Sequence, residues 1–140
     1  MKLLVIDGQG GKMGKAIVEQ LKAAFPSQSI IAVGTNSIAT STMLKAGADM
    51  GATGENPVIY NSKKADIIIG PIGIIAANSL LGEVTPRMAD AVSCSQAVKI
   101  LIPSSKCNSY VVSTQELSLA EYVSLAVEKV RDHMAESRFL

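Results

Sequence analysis

A glycine-rich segment near the start of the chain has the residue types and spacing needed to hold a phosphate group. An apolar run, residues 3–6, leads into Gly8-x-x-Gly11-x-x-Gly14, and an apolar helical pattern follows. Glycines allow a sharp reversal from strand to helix and let backbone amides approach a bulky anion. The helix N-terminus adds unpaired N–H groups and a partial positive charge. The pattern therefore predicts an anion-binding loop made of Gly8, Gln9, Gly10, Gly11, Lys12, Met13 and Gly14. The alternative is a tight turn without a ligand, as in many nucleotide-free α/β domains.

The end of the second predicted strand lacks the acidic residue that holds the ribose of NAD in many dinucleotide-binding proteins. Thr35, Asn36 and Ser37 stand at that place, and no arginine for a 2′-phosphate lies nearby. Their hydroxyl and amide groups can still bond a ribose or a phosphate, and Lys12 can supply positive charge. If a nicotinamide cofactor binds, the pattern favours NADP(H). A mononucleotide, a sugar phosphate or another anionic metabolite remains open.

Tyr60 and Lys64 have the Tyr-x-x-x-Lys spacing by which short-chain dehydrogenases lower a tyrosine pKa. The pair precedes a predicted strand and does not lie on a long helix, so a strand-end tyrosine beside a solvated lysine explains it more simply. Glu83 and Asp66 could each act as a general base if they faced a cleft, but turn capping and solvation also explain both. The roles of Tyr60 and Lys64 stay open.

Cys107 and Asn108 lie in a polar segment that follows a predicted strand and would point into a cleft. Cys107 could act as a nucleophile if Lys106 stabilised its thiolate. The single histidine of the chain, His133, lies far along the last predicted helix, so no nucleophile–histidine pair can be assembled. No set of residues has metal-ligand spacing. Catalytic residues are therefore unassigned, and no metal site is predicted.

Apolar runs predict the strands of the fold. Residues 3–6, 30–33, 67–69 and 98–102 read as buried strands, and residues 58–60 and 110–112 as short additional strands. Helical patterns lie between these runs. One ends before Pro26, one begins at a cap on Ser37, and an apolar segment that reaches Leu81 also predicts a helix. Thr85 and Pro86 begin another helix that runs to about residue 96, and a capping box, Ser118 with Glu121, begins the last.

Strands that alternate with helices through short loops predict an α/β fold, a Rossmann-like three-layer sandwich with a mostly parallel sheet. The length of 140 residues predicts a single domain, residues 1–140. Ligands of such sheets bind outside the carboxyl ends of the strands. Four segments should meet there, namely residues 8–14, 34–37, 103–108 and the turn Gly70, Pro71, Ile72 and Gly73.

Two resemblances to known families add to this interpretation. The run Gly11-Lys12-Met13-Gly14 resembles the N-terminal cofactor motif of dihydrodipicolinate reductase, over roughly the first 25 residues. That likeness implies a nicotinamide nucleotide as cofactor. The whole chain is similar to an uncharacterised family of short stand-alone Rossmann-like proteins, in which residues 34–36, 70–73 and 103–108 recur with the glycine loop. The second resemblance implies a fold and no reaction.

The composition argues against several classes of partner. Thirteen Lys and Arg residues against 12 Asp and Glu give a net charge of +1, and there is no tryptophan, so neither nucleic acid nor an anionic membrane surface is expected to bind. The longest apolar run, residues 67–77, is interrupted by glycine and proline and is shorter than the ~20 residues of a membrane span. No cleavable signal pattern is present, which predicts a cytoplasmic protein. An apolar content of 48% suggests a subunit interface and hence a homodimer.

These observations support two hypotheses about function. In the first, the chain is a small binding or regulatory protein that holds a phosphorylated small molecule, with NADP(H) as the favoured nucleotide, at residues 8–14. In the second, it is a small NAD(P)-dependent oxidoreductase whose active site is completed by a dimer partner. Dehydrogenases of the resembled kind bind substrate with a second domain, for which this chain has no residues left, so the binding protein is preferred.

Overall fold

The computed structural model of the protein describes residues 1–104, 109–112 and 114–138. Five parallel strands form one sheet in the order β3-β2-β1-β4-β5. The strands are β1 (Leu3–Asp7), β2 (Ile30–Gly34), β3 (Met50–Thr53), β4 (Ile67–Pro71) and β5 (Val98–Ile102). The helices are α1 (Lys12–Ala24), α2 (Ser37–Lys45), α3 (Glu55–Ser62), α4 (Pro86–Ser93) and α5 (Leu119–Ser137).

Helices cover both faces of the sheet, which is why residues 3–6 of β1 and 67–69 of β4 are apolar at every position. Along β1, Leu3 and Val5 pack into a core with α1, α2 and α5, whereas Leu4 and Ile6 pack into a second core with α3 and α4. All five residues of β1 and of β4 are buried. The Rossmann-like three-layer fold predicted from the sequence is therefore confirmed.

The order of the strands indicates where on the sheet a ligand is expected to bind. The chain moves outward from β1 to β2 and β3, then returns to the other side of β1 for β4 and β5. This is the order of the doubly wound dinucleotide-binding folds, and the crevice at its reversal lies between the carboxyl ends of β1 and β4. The glycine loop follows β1 directly and thus lies at this switch point.

Side-chain caps begin three of the helices. Thr85 accepts a hydrogen bond from the Met88 amide, and Ser118 accepts one from the Glu121 amide, as the sequence predicted. The predicted cap on Ser37 is wrong by one residue. The side chain of Asn36 accepts from the Ala39 amide, because Asn36 is extended whereas Ser37 is already helical.

Three sequence-based element predictions are wrong. Residues 58–60 belong to α3, and the strand of that region is β3, whose residues are largely exposed because it is an edge strand that pairs only with β2. The predicted helix that reaches Leu81 is a short 3₁₀ helix, Ile72–Ile75, followed by turns. Residues 110–112 form no strand and are exposed.

Candidate functional site

The carboxylate of Asp7, at the end of β1, organises the glycine loop. Its Oδ1 accepts from the Gly8 amide at 2.8 Å and its Oδ2 from the Gly14 amide at 2.6 Å, and the side chain is buried. The Gly11 amide donates to the Gly8 carbonyl at 2.9 Å and closes the turn between them. The two oxygens of one buried side chain therefore accept from amides at both ends of the loop.

The glycines of the loop serve different purposes. Gly11 has a φ of 76° and begins α1 without a side-chain cap, and a Cβ there would lie 2.9 Å from the Cα of Ala39 in α2. A Cβ on Gly14 would meet the side chain of Met43 at 2.5 Å. These two glycines therefore allow α1 and α2 to pack closely. Gly10 has nothing within 4 Å of its Cβ position and faces open space.

A small cavity borders the loop on the β4 side. Its volume is about 220 Å³. Lys12 and Met13 line it, and within the described ranges no acceptor takes up their backbone amides, which belong to the uncapped first turn of α1. The complete lining is Asp7, Gln9, Lys12, Met13, Pro71, Leu80, Ser104 and Leu119. The cavity thus combines a helix N-terminus, two N–H groups that no described residue accepts from, and an exposed lysine, which suits an anion.

Glu83 places a carboxylate at the end of β2, where the sequence had none. Its Oε1 accepts from the Gln9 amide at 2.9 Å, from the Thr35 hydroxyl at 2.7 Å and from the Asn36 side-chain amide at 2.7 Å. Burial raises the pKa of Glu83, but these three hydrogen bonds outweigh burial, and the pKa lies below its ordinary value. The glycine loop and the end of β2 are therefore joined by one ionised carboxylate.

Glu83 belongs to residues 76–84, a strap that runs between the 3₁₀ helix and α4. Asn78, Leu80 and Leu81 have φ values of 64°, 55° and 57°, and Gly82 follows at 87°. A non-glycine residue in this left-handed region costs about 1–2 kcal/mol. The strap is closed by its own backbone, because the Asn78 amide donates to the Val84 carbonyl at 2.7 Å. The left-handed turn and this hydrogen bond together define the path of the strap.

The other predicted site residues have different positions. Thr35 and Asn36 contact the loop, since the Thr35 amide donates to the Asp7 carbonyl and the Asn36 side chain to the Gln9 carbonyl. Ser37 is exposed in the first turn of α2. In the turn after β4, Pro71 lines the cavity, and the Gly73 carbonyl accepts from the Ser79 hydroxyl. Gly70 packs against the Ile6 carbonyl, and Ile72 begins the 3₁₀ helix.

Tyr60 and Lys64 do form a pair, but it lies at the amino ends of the strands, opposite the glycine loop. The Lys64 ammonium donates to the Tyr60 hydroxyl at 2.6 Å and lies 4.2 Å from its ring centre. This hydrogen bond, helped by the charge of Lys64, lowers the pKa of Tyr60. Both residues line a surface groove together with Lys2 and Ser29, which precede β1 and β2. They are therefore remote from the glycine loop.

Among the residues that the structure describes, no cysteine lies at the glycine loop. Cys107 and Asn108 lie outside the described residues, as do Ser105 and Lys106. Cys94 is exposed at the end of α4. A hydrogen bond to Asp90 raises the pKa of its thiol.

Sequence reasoning missed Asp7, and it considered Glu83 only as a possible general base or a turn cap, without its contacts to the loop. Asp7 stands immediately before Gly8, so its ability to bond the loop amides could have been anticipated. Glu83 is 74 residues from Gln9 and 48 from Thr35, and no local pattern relates them. No three His, Cys, Asp or Glu side chains group as metal ligands in the part of the chain that the structure describes. Across the same residues, no helix has both the length and the apolar character that a bilayer span requires.

The fold and the site define an α/β protein of Rossmann-like topology with a glycine loop at the switch point of its sheet. Residues 2–135 match the family described as "Domain of unknown function (DUF3842)", and the chain belongs to that family. The predicted membership of an uncharacterised α/β family is thereby confirmed. No curated protein matches the sequence at a significant level.

One solved structure with a similar fold is a dodecameric FMN-dependent UbiX-like decarboxylase from Escherichia coli O157:H7. The two chains share 19% identity over 96% of this chain and 95% of that chain, with a TM-score of 0.54. At this identity the likeness concerns the arrangement of the sheet and helices.

Proposed function

We propose that the protein binds the phosphate of a nucleotide at the glycine loop and acts as a small binding or regulatory protein. The observation that carries the proposal is that the Lys12 and Met13 amides, at the uncapped N-terminus of α1, have no acceptor among the described residues, and that both residues line a cavity of about 220 Å³. A phosphate oxygen in this cavity would accept from these amides and gain from the partial positive charge of the helix.

The charges around the cavity are compatible with an anion. Asp7 is the carboxylate in the lining, and its two oxygens already accept from the Gly8 and Gly14 amides. Lys12 is exposed in the first turn of α1 and can reach a bound phosphate as a point charge. Because the hydrogen bonds of Asp7 hold the loop in shape, we assign it a structural role and propose binding without a catalytic step.

The similar solved structure makes a flavin mononucleotide a candidate ligand, because that protein is FMN-dependent. NADP(H), the nucleotide favoured by the sequence pattern, has no support from the comparisons. The likeness of the loop to dihydrodipicolinate reductase remains a prediction. The similar structure is also dodecameric, which makes self-association of this chain part of the proposal, without a preference for a dimer.

The first experiment is to purify the protein under native conditions and identify what it carries. The chain has no tryptophan and three tyrosines, so a bound nucleotide would dominate its ultraviolet spectrum, and mass spectrometry would identify the ligand. Protein without a bound ligand is then tested for thermal stabilisation by FMN, AMP, NADP(H), NAD(H) and inorganic phosphate. A ligand at 100 times its Kd should add about 2.7 kcal/mol to the free energy of unfolding.

Gly10 offers a matched pair of variants that tests the position of the site. Because its Cβ position faces open space, Gly10→Asp and Gly10→Asn should both fold. The aspartate adds a negative charge within the glycine loop, next in sequence to Gln9 of the cavity lining, whereas the asparagine adds about the same volume without charge. We expect Gly10→Asp to weaken binding far more than Gly10→Asn. Equal binding by both variants, or stabilisation by none of the ligands in the wild-type protein, would contradict the proposal.

A further inference from the structure

The groove on the β2 side of the glycine loop is filled by the chain itself. In doubly wound folds one nucleoside of a dinucleotide lies between this loop and the end of β2, where an acidic residue bonds its ribose. Here a Cβ on Gly8 would lie 2.6 Å from Oγ1 of Thr35, 2.8 Å from Cδ1 of Leu80 and 3.2 Å from Oε1 of Glu83. Leu80 and Glu83 therefore occupy the space that a nucleoside would need.

Glu83 also takes up the donors that such a nucleoside would use. The Gln9 amide, the Thr35 hydroxyl and the Asn36 side-chain amide all donate to its Oε1. A ribose placed there would have to displace a carboxylate with three hydrogen bonds. Displacement would leave these donors without their charged acceptor and would expose Leu80, which is half-buried.

The strap is built to stay in this position. Its turn runs through three consecutive left-handed residues, Leu80, Leu81 and Gly82, and its end is fixed by Val84, which is buried in the core with α4. Before this turn, the Ser79 hydroxyl of the strap donates a hydrogen bond to the Gly73 carbonyl of the 3₁₀ helix. The strap therefore fills the groove in the folded protein.

The β4 side of the loop remains open to a ligand. The cavity of about 220 Å³ lies beyond Leu80, which forms a wall between it and the filled groove. Pockets that enclose whole drug-sized ligands measure roughly 300–1,000 Å³. The space accommodates a phosphate and part of its sugar, with the remainder of the ligand directed away from the loop.

We infer that the site accepts a mononucleotide and that Leu80 and Glu83 exclude dinucleotides from it. This inference rests on the proposed function and names the ligand class of the same site. FMN and AMP belong to the accepted class, whereas FAD and NAD(P) carry a second nucleotide that the filled groove rejects.

The test compares ligands that share one half. Titration calorimetry on the wild-type protein should show that FMN binds at least about tenfold more tightly than FAD. AMP should likewise bind at least about tenfold more tightly than NAD⁺. In the double variant Leu80→Ala/Glu83→Ala, the groove is emptied and the ratio of the two affinities should move towards one. Glu19→Ala removes an exposed carboxylate on α1 and serves as the control, with the wild-type ratio expected.

The outcomes separate this inference from the proposed function. Equal affinities for FMN and FAD and for AMP and NAD⁺ in the wild-type protein would overturn the inference and leave phosphate binding intact. A double variant that folds, as judged by circular dichroism, and keeps the wild-type ratio would also overturn it. If the double variant does not fold, the wild-type ratios alone decide. A wild-type protein that binds none of these ligands, nor inorganic phosphate, contradicts the proposed function itself.

Discussion

The carboxylate of Glu83 accepts a hydrogen bond from the side-chain amide of Asn36 at 2.7 Å, although the two residues are 47 positions apart. Asn36 meanwhile caps α2 through its side-chain oxygen and donates to the Gln9 carbonyl. One asparagine thus connects the strap, the glycine loop and the start of a helix. A change at Glu83 is therefore felt in three elements at once.

Replacing Glu83 should make the stability of the protein depend less on pH in the acid range. Its folded-state pKa is lowered, so its contribution is fully present above the ordinary glutamate pKa of about 4.3 and is lost as pH falls through the folded value. Near neutral pH we expect Glu83→Ala to lower the free energy of unfolding by about 1–3 kcal/mol. Urea denaturation at several pH values measures this difference.

The control for Glu83 is Glu83→Gln, which keeps an acceptor oxygen and removes the charge. Its deficit relative to the wild-type protein should be smaller than that of the alanine variant and should shrink as pH falls below the glutamate range. A deficit that stays constant from neutral pH to pH values below the folded pKa would show that the charge of Glu83 does not stabilise the strap.

Gly70 should tolerate no side chain, because its Cβ position meets the Ile6 carbonyl of the neighbouring strand. A backbone atom in a central strand cannot move aside, so Gly70→Ala should lower the free energy of unfolding by about 1–3 kcal/mol. Gly10→Ala is the matched control, because nothing lies within 4 Å of its Cβ position. Thermal melts of the two variants should differ clearly, and equal melting temperatures would contradict the close packing of β4 on β1.

Glycine should be tolerated at Leu81 of the strap but not at Leu125 of α5. Leu81 is 95% exposed and has a φ of 57°, so Leu81→Gly loses little packing and removes the strain of a left-handed residue. We expect its stability to be unchanged or raised by up to about 1 kcal/mol. Leu125 is 50% exposed in a helix, where Leu125→Gly should cost about 1 kcal/mol.

Chemical denaturation of both glycine variants checks these signs. A loss of stability in Leu81→Gly as large as that in Leu125→Gly would indicate that Leu81 is not held in the left-handed conformation in solution.

The parts of the fold that could be predicted are those that local sequence determines. Strands β1, β2, β4 and β5 are mostly apolar because helices cover them wholly or partly. The helix N-caps at Thr85 and Ser118 are also recognisable from local sequence. Strand β3 escaped prediction because Gly51 and its exposed neighbours show no pattern of burial. The strap resembled a helix because its apolar residues are frequent, whereas its left-handed turn depends on tertiary contacts.

The site divides in the same way. The glycine loop could be predicted from its spacing, and the two hydrogen bonds of Asp7 to the Gly8 and Gly14 amides are local in sequence. The carboxylate at the end of β2 belongs to Glu83, which follows β4 in the sequence. Only folding of the chain brings it to Thr35 and Asn36. A search for an acid confined to the end of β2 therefore concluded that none was present.

The pKa of Tyr60 should depend on Lys64 and have no influence on the glycine loop. The Lys64 ammonium stabilises the tyrosinate, so Lys64→Met should raise the pKa of Tyr60 towards its ordinary value, whereas Lys63→Met, which changes an exposed neighbour, should not. Ultraviolet titration measures tyrosinate formation, and Tyr60→Phe assigns the signal among the three tyrosines. Because the pair lies at the amino edge of the sheet, Lys64→Met should leave ligand-induced stabilisation as in the wild-type protein. Loss of that stabilisation would place part of the ligand site at this edge, and an unchanged titration would show that the Lys64–Tyr60 hydrogen bond does not persist in solution.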